Sequence, residues 1–334
     1  MPLSKLPLDC DGHVIADWFE FHIIIQDYQT GLIRDLQRSW DKRKNTEDST
    51  PEGKSLDESD PDESFLESML QQFRFRMELL GEDYPFEFND SEETLSLKAG
   101  LSEGAVLYLF CLFLSNTNNS EIFELDKFNY FLDNRTRDLF QACATWAAAA
   151  ETKGCAITFG VPRPDNLGFK AKLQQTYVLM DEGVVRDEFL PAAPRHVQDG
   201  GVDVIAWGIR RDGAAGRLYI LGQVASGANW RDKSIKGDID PFHDIWFSEK
   251  PPSTPTPAMF IPFCIDEQGV SHKQRVDLLT RIYGNMYYRY LIPVLARIGL
   301  QLATANTDLT IERTQDYPEI QAWVNGLITR LRAV

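Results

Sequence analysis

A mixed α/β fold preceded by a helical region is predicted by three observations. The segment Val202 to Val224 reads as a β-hairpin, stretches with helical patterning lie on both sides of it, and an acidic run with almost no large apolar residue, 44–63, interrupts the N-terminal part. The chain has 334 residues, 43% apolar and 25% charged, which suits an ordinary globular protein of two domains. The expected division is an acidic, mostly helical accessory region over 1–130 and an α/β domain over 131–334.

Within the first region, Asp17 to Trp40 alternates aromatic and aliphatic residues with charges, and a helix is expected over Thr30 to Arg43. Residues 44–63 are rich in Ser, Thr, Pro, Asp and Glu, so a mobile loop is expected there. Helical patterning resumes at Phe65 to Leu80 and again at Ser102 to Ser115, with Ser102 as N-cap. Ala105 to Leu114 is apolar but too short to span a bilayer, so it reads as a buried helix.

The second region opens with a helix, Thr136 to Glu151, stopped near Gly154 and followed by a strand, Ala156 to Gly160. Pro162 to Asp165 breaks the chain before a helix at Leu167 to Met180. Val202 to Ile209 and Leu218 to Val224 are β-branched and aromatic runs, and Asp212-Gly213 between them is a hairpin turn signal. A helix is expected to begin at Ser226, a loop to occupy Lys250 to Pro257, and a strand Met259 to Ile265. A long helix closes the pattern at Val276 to Ile298. Its stripe of Tyr283, Tyr287, Tyr288 and Tyr290 suits a core or dimer face, or a platform for stacking bases.

The hairpin carries the chemistry. With the turn centred on Gly213, Asp203 faces Gln223, and directly opposed residues bring their side chains within reach of one ion. A carboxylate and an amide oxygen at one end of a twisted hairpin are ligands of the kind that a hydrolytic magnesium site uses. Asp199, just ahead of Gly200-Gly201, either joins that site or braces the turn through backbone N–H groups.

The string Asp199-Gly200-Gly201-Val202-Asp203, followed on the next strand by Gln223-Val224-Ala225, resembles the PD-(D/E)xK nuclease superfamily, especially its Mrr-like restriction endonucleases. The resemblance covers about Thr136 to Leu300 and is specific only in the hairpin. It implies a restriction-endonuclease-like core, a central mixed sheet flanked by helices, and magnesium-dependent hydrolysis of phosphodiesters, above all of DNA, with manganese as a substitute ion. It assigns Asp203 and Gln223 to the metal, with the carbonyl of Val224 beside them. Ala225 stands where the family has its lysine. The resemblance therefore turns attention to a migrated lysine, Lys233 first and Lys236 second, each on the helix expected after Ser226. A third acid from a preceding helix is offered by Glu151 or Glu182.

Net charge is −16, unusual for a protein that binds a polyanion. Residues 1 to 100 hold 23 acids and 10 bases, a net of −13, which leaves only −3 for the remainder. A local basic groove is therefore open to the second region, with Arg195 and Arg231 the expected nucleic-acid contacts and Arg210, Arg211 and Arg217 also available. The acidic region reads as a solvated helical cap, a docking site for a regulatory protein, a homo-oligomer contact or a cover for that groove.

Phosphate-binding loops, dinucleotide fingerprints, paired zinc histidines and a nucleophile elbow are absent from the sequence. The five scattered cysteines and an N-terminus without a secretion signal suit the cytoplasm, with no membrane partner expected. By analogy with many nucleases of this kind, the expected role is that of an effector in prokaryotic defence against phage or plasmids. The competing expectation is a catalytically degenerate nuclease fold acting as a nucleic-acid sensor or scaffold subunit, favoured by Gln223 and Ala225.

Overall fold

The computed structural model describes residues 2–8, 10–47, 61–128, 130–188, 190–191, 193–194, 197–265 and 270–334. Its contacts divide into two compact units, one built from Met1–Leu132 with Gln321–Val334 and the other from Asp133–Ile265 with Val270–Ile320. The second unit thus ends short of the C-terminus, where an uninterrupted 131–334 was expected.

The first unit runs α1 (Gly12–Ile25), β1 (Thr30–Leu32), α2 (Ile33–Glu47), α3 (Pro61–Leu80), β2 (Phe86–Asn89), β3 (Thr94–Leu97) and α4 (Glu103–Asn116). Helix α4 is apolar all round and accordingly buried from Gly104 to Leu114, with Ser102 Oγ accepting from Ala105 N–H at 3.0 Å as its cap. Two features differ from expectation. The helix expected from Thr30 starts only at Ile33, because Thr30 to Leu32 pair with β3 in an antiparallel sheet ordered β1-β3-β2. These strands have three or four residues each, too few to show a period of two. Helix α1 precedes them, and from Asp17 onward it occupies part of the stretch in which apolar and charged residues alternate. Of the mobile loop expected at 44–63, residues 48–60 lie outside the described residues, while its two ends fall in α2 and α3.

In the second unit the elements are α5 (Asn134–Thr152), β4 (Gly154–Thr158), α6 (Phe169–Met180), β5 (Val184–Val185), β6 (Val204–Gly208) and β7 (Tyr219–Val224). They continue with α7 (Ile239–Trp246), β8 (Phe247–Glu249), β9 (Pro255–Phe260), α8 (His272–Tyr283), β10 (Asn285–Tyr287), α9 (Ile292–Ala305) and α10 (Tyr317–Arg332), whose later residues are counted with the first unit. Five strands form one mixed sheet in the order β10-β9-β7-β6-β4. Strand β6 is antiparallel to both its neighbours, β4 and β7, whereas β7, β9 and β10 run parallel.

Both faces of this sheet are covered, so β4 and β6 are buried at every position. On one face Cys155, Ile157, Ile205, Trp207, Tyr219 and Leu221 pack with residues of α6 and α7. On the other, the small residues Ala156, Ala206 and Gly222 alternate with them, and α5 lies against β4, β6 and β7. Helix α9 covers α5 in turn, at a distance set by Gly299, where a Cβ would stand 2.1 Å from the Trp146 carbonyl oxygen.

The long helix expected over Val276 to Ile298 is broken. Helix α8 stops at Gly284, whose φ of +90° and whose approach to Pro257, with 2.3 Å from a Cβ position to the carbonyl oxygen, exclude a side chain. The residues beyond it become β10, so Tyr287, Tyr288 and Tyr290 are buried in the fold and none is a platform for bases. Strand β9 likewise starts at Pro255, inside the loop expected at Lys250 to Pro257. No helix among the described residues is long and apolar enough to cross a membrane, and no disulfide links the cysteines.

Candidate active site

The hairpin register runs from Trp207 opposite Tyr219 to Val204 opposite Gly222, and Asp203 and Gln223 are the residues just beyond it. Asp203 follows the glycine turn, and Asp199 closes that turn by accepting from Gly201 N–H at 2.9 Å. The backbone of Asp203 is held from three directions. Its carbonyl accepts from Phe159 N–H at 2.7 Å, Gly160 N–H at 3.0 Å and Gln141 Nε2 at 3.1 Å, and its own N–H donates to the Gly222 carbonyl at 2.8 Å. Its carboxylate is thereby aimed at the end of β7, where Oδ2 accepts from Val224 N–H at 2.8 Å.

This carboxyl group is pushed up to about 7, chiefly by desolvation, with the Asp199 charge adding and the Val224 N–H and the Lys233 charge opposing. The folded chain therefore keeps its proton to a higher pH than an unfolded chain, in which aspartate titrates near 3.8. Stability of the metal-free protein is expected to fall as pH rises from about 4 to about 7 on this account, and to change no further above that. Urea unfolding across that window should show a steeper fall in the native protein than in Asp203→Asn. A slope identical in both would assign it to other groups.

Gln223 is half-buried, and its Oε1 is buried without a hydrogen-bond partner among the described residues. A buried acceptor left unpaired costs free energy unless something binds it. Magnesium, which needs oxygen ligands but takes as few as one or two carboxylates when water and phosphate complete its shell, is one species that would satisfy it. The Asp203 carboxylate, Gln223 Oε1 and the carbonyl of Val224 are the oxygens that these strand ends offer such an ion. No group of three or more His, Cys, Asp or Glu side chains among the described residues is placed to hold a metal, so an ion here would need a substrate phosphate to complete its shell. Gln223→Glu adds the missing negative charge and should tighten Mn²⁺ binding by about tenfold, measured by calorimetric titration. Unchanged or weaker binding would place residue 223 outside the ion's reach.

The other predicted residues divide sharply. Lys233 is not on a helix: a short 3₁₀ turn spans Ala228–Asp232, and Lys233 caps it in extended conformation, its N–H donating to the Trp230 carbonyl at 3.1 Å. Its charge nevertheless acts on Asp203. Lys236 is turned away, with Nζ donating to the Arg281 carbonyl at 2.6 Å. Glu182 is buried as an anchor for Ser253, accepting from its N–H at 3.0 Å and its hydroxyl at 2.8 Å, with Arg217 Nε at 3.3 Å. Glu151 is exposed at the far end of α5, roughly 15 Å along the axis from Gln141. Neither glutamate is a third ligand. Arg231 is exposed, with its guanidinium 4.6 Å from the Trp230 ring centroid, while Arg195 lies outside the described residues. Arg210 pairs with Asp212 at 2.7 Å. Ala225 is 1% exposed, a closed position with no room for the long cation that the family pattern puts there.

Two residues that position Asp203 were not foreseen. Gln141 is a lone polar side chain within the buried stretch Leu139 to Ala144, and that anomaly was its only sequence signal. Gly160 follows β4, and a Cβ there would lie 2.4 Å from Asp203 Oδ1 and 2.1 Å from Gln141 Nε2. Gly160→Ala is therefore expected to displace the carboxylate and cost about 1–3 kcal/mol of stability in denaturant titration. No known protein family, curated protein or solved structure matches this chain.

Proposed function

We propose that the second unit is a magnesium-dependent nuclease that hydrolyses phosphodiester bonds, with DNA as the favoured substrate. The observation that carries this reading is the unpaired, buried Oε1 of Gln223 on the strand beside a desolvated carboxylate that also feels a lysine. The antiparallel β4-β6-β7 meander, with a helix before it and a parallel strand after it, supports a restriction-endonuclease-like core. A divalent ion held at this point supplies charge neutralisation for an attacked phosphate. Asp203 holds the negative charge that draws the ion, Gln223 gives a neutral oxygen, and Lys233 faces the phosphate as a second cation. Water adds to phosphorus, the P–O bond to the leaving sugar oxygen breaks, and that oxygen takes up a proton. Such an enzyme would endanger its host's genome, which gives the acidic first unit a role in docking a regulatory partner, in the setting of defence against phage or plasmids.

A second reading, a non-cutting sensor or scaffold on the same fold, is favoured by one observation: Val224 N–H already engages one carboxylate oxygen of Asp203. Incubation with DNA and with RNA, in Mg²⁺, in Mn²⁺ and in chelator, separates the two. Divalent-dependent cutting supports the nuclease; tight nucleic-acid binding with no cutting in either metal overturns it in favour of the sensor.

A further inference from the structure

We infer that Arg137 is a phosphate-contacting residue, forming with the Gly227 turn a second anchoring point for the nucleic-acid backbone next to Asp203; this rests on the nuclease reading above. Arg137 and Gln141 are four residues apart on α5, so their side chains lie one above the other on the same face. Gln141 Nε2 reaches the Asp203 carbonyl at 3.1 Å, which puts Arg137 one helical turn further along that face. There it meets the chain leaving β7: Arg137 Nη1 is 3.8 Å from the position a Cβ on Gly227 would occupy. Gly227 follows Val224, whose N–H binds the Asp203 carboxylate, by three residues, so the two points are no more than roughly 11 Å apart along the chain.

The contrast with its neighbour makes the case. Arg135 is clasped by Asp138 at 2.6 Å, by Asp316 at 3.6 Å and by Glu319. Arg137 is exposed, and among the described residues its guanidinium has no acid or carbonyl partner. An arginine kept unpaired against the Gly227 turn offers a planar fork of donors matched to phosphate oxygens. It lies ahead of the first strand, where a basic residue on a helix looks like any solvated charge, so only the packing of α5 on β6 and β7 brings it to the site.

Fluorescence polarisation with a short labelled DNA duplex, and with RNA of the same sequence, tests this in chelator, where no cutting occurs. Arg137→Gln should weaken binding about three- to tenfold and lower the slope of log affinity against log salt by about one, and Arg137→Lys should recover most of the slope. Arg210→Gln, at the far end of the hairpin, removes the same charge and should change neither. Native binding with affinity and salt slope unaltered in Arg137→Gln overturns the role of Arg137 and leaves the nuclease reading standing. Failure of the native chain to bind either nucleic acid, in chelator and also in Ca²⁺, overturns the nuclease reading itself.

Discussion

Asp203→Asn should abolish divalent-dependent cutting, with a loss of at least ~10³-fold in kcat, while leaving the protein folded. The substitution removes the only carboxylate among the proposed metal ligands, yet its amide oxygen can still accept from Val224 N–H, the bond that Oδ2 makes at 2.8 Å. Asp203→Ala removes both. It leaves the Val224 N–H without its partner and is expected to cost a further ~1–3 kcal/mol of stability. Activity assays paired with denaturant titration thus separate chemistry from support. Cutting retained in Asp203→Asn at near-native rate would take the ion away from this residue. Asp199→Asn offers an internal comparison: it preserves the acceptor for Gly201 N–H but withdraws a charge that raises the Asp203 carboxyl. The pH at which cutting sets in should therefore move down.

Arg76→Met should destabilise the first unit by about 3–5 kcal/mol. The guanidinium is fully buried between two carboxylates, 2.8 Å from Asp17 and 2.5 Å from Glu20, and both acids are almost fully buried too. Tyr84 and Tyr108 donate their hydroxyls to Glu20 at 2.7 and 2.8 Å, and Asn116 donates to Asp17 at 2.9 Å. Burial raises the Glu20 carboxyl, and the Arg76 charge is the largest influence opposing it. Removing the arginine strands two acids in the core, and one or both must take up a proton. The triple variant Asp17→Asn, Glu20→Gln, Arg76→Met leaves no charge in this cluster and should regain most of the loss. Urea unfolding, with hydrogen exchange followed in α1, α3 and α4, reads both. A loss below about 1 kcal/mol in the single variant would mean that water reaches the cluster.

What the sequence revealed follows the range of the interactions involved. The β6–β7 hairpin is local, with its turn residues and its apolar runs lying side by side, and its register about Gly213 is accordingly legible as far as Val204 opposite Gly222. Fully buried strands such as β4 announce themselves by composition alone. The run from Val276 to Ile298 has helical patterning throughout, and it breaks because Gly284 must pass close to Pro257, a contact made by a distant part of the chain. The segment after β7 was read as a helix on similar grounds, whereas Trp230 is drawn onto Tyr283, with ring centroids 5.3 Å apart, and the turn ends at Lys233. Gln141, Gly160 and Arg137 share one reason for being missed. Gln141 and Arg137 reach Asp203 or its surroundings only through the stacking of α5 on the sheet, and Gly160 only through the pairing of β4 with β6, and no spacing in the sequence encodes either.

The central claim is that Asp203 and Gln223 together hold a divalent cation against a phosphate. Titration of Mn²⁺ into the intact protein with a short DNA duplex present, followed by electron paramagnetic resonance, tests it most directly. One tightly held ion per chain is expected, weakened in Gln223→Ala and lost in Asp203→Asn; equal binding by Asp203→Asn, or no bound ion in the native protein, would contradict it.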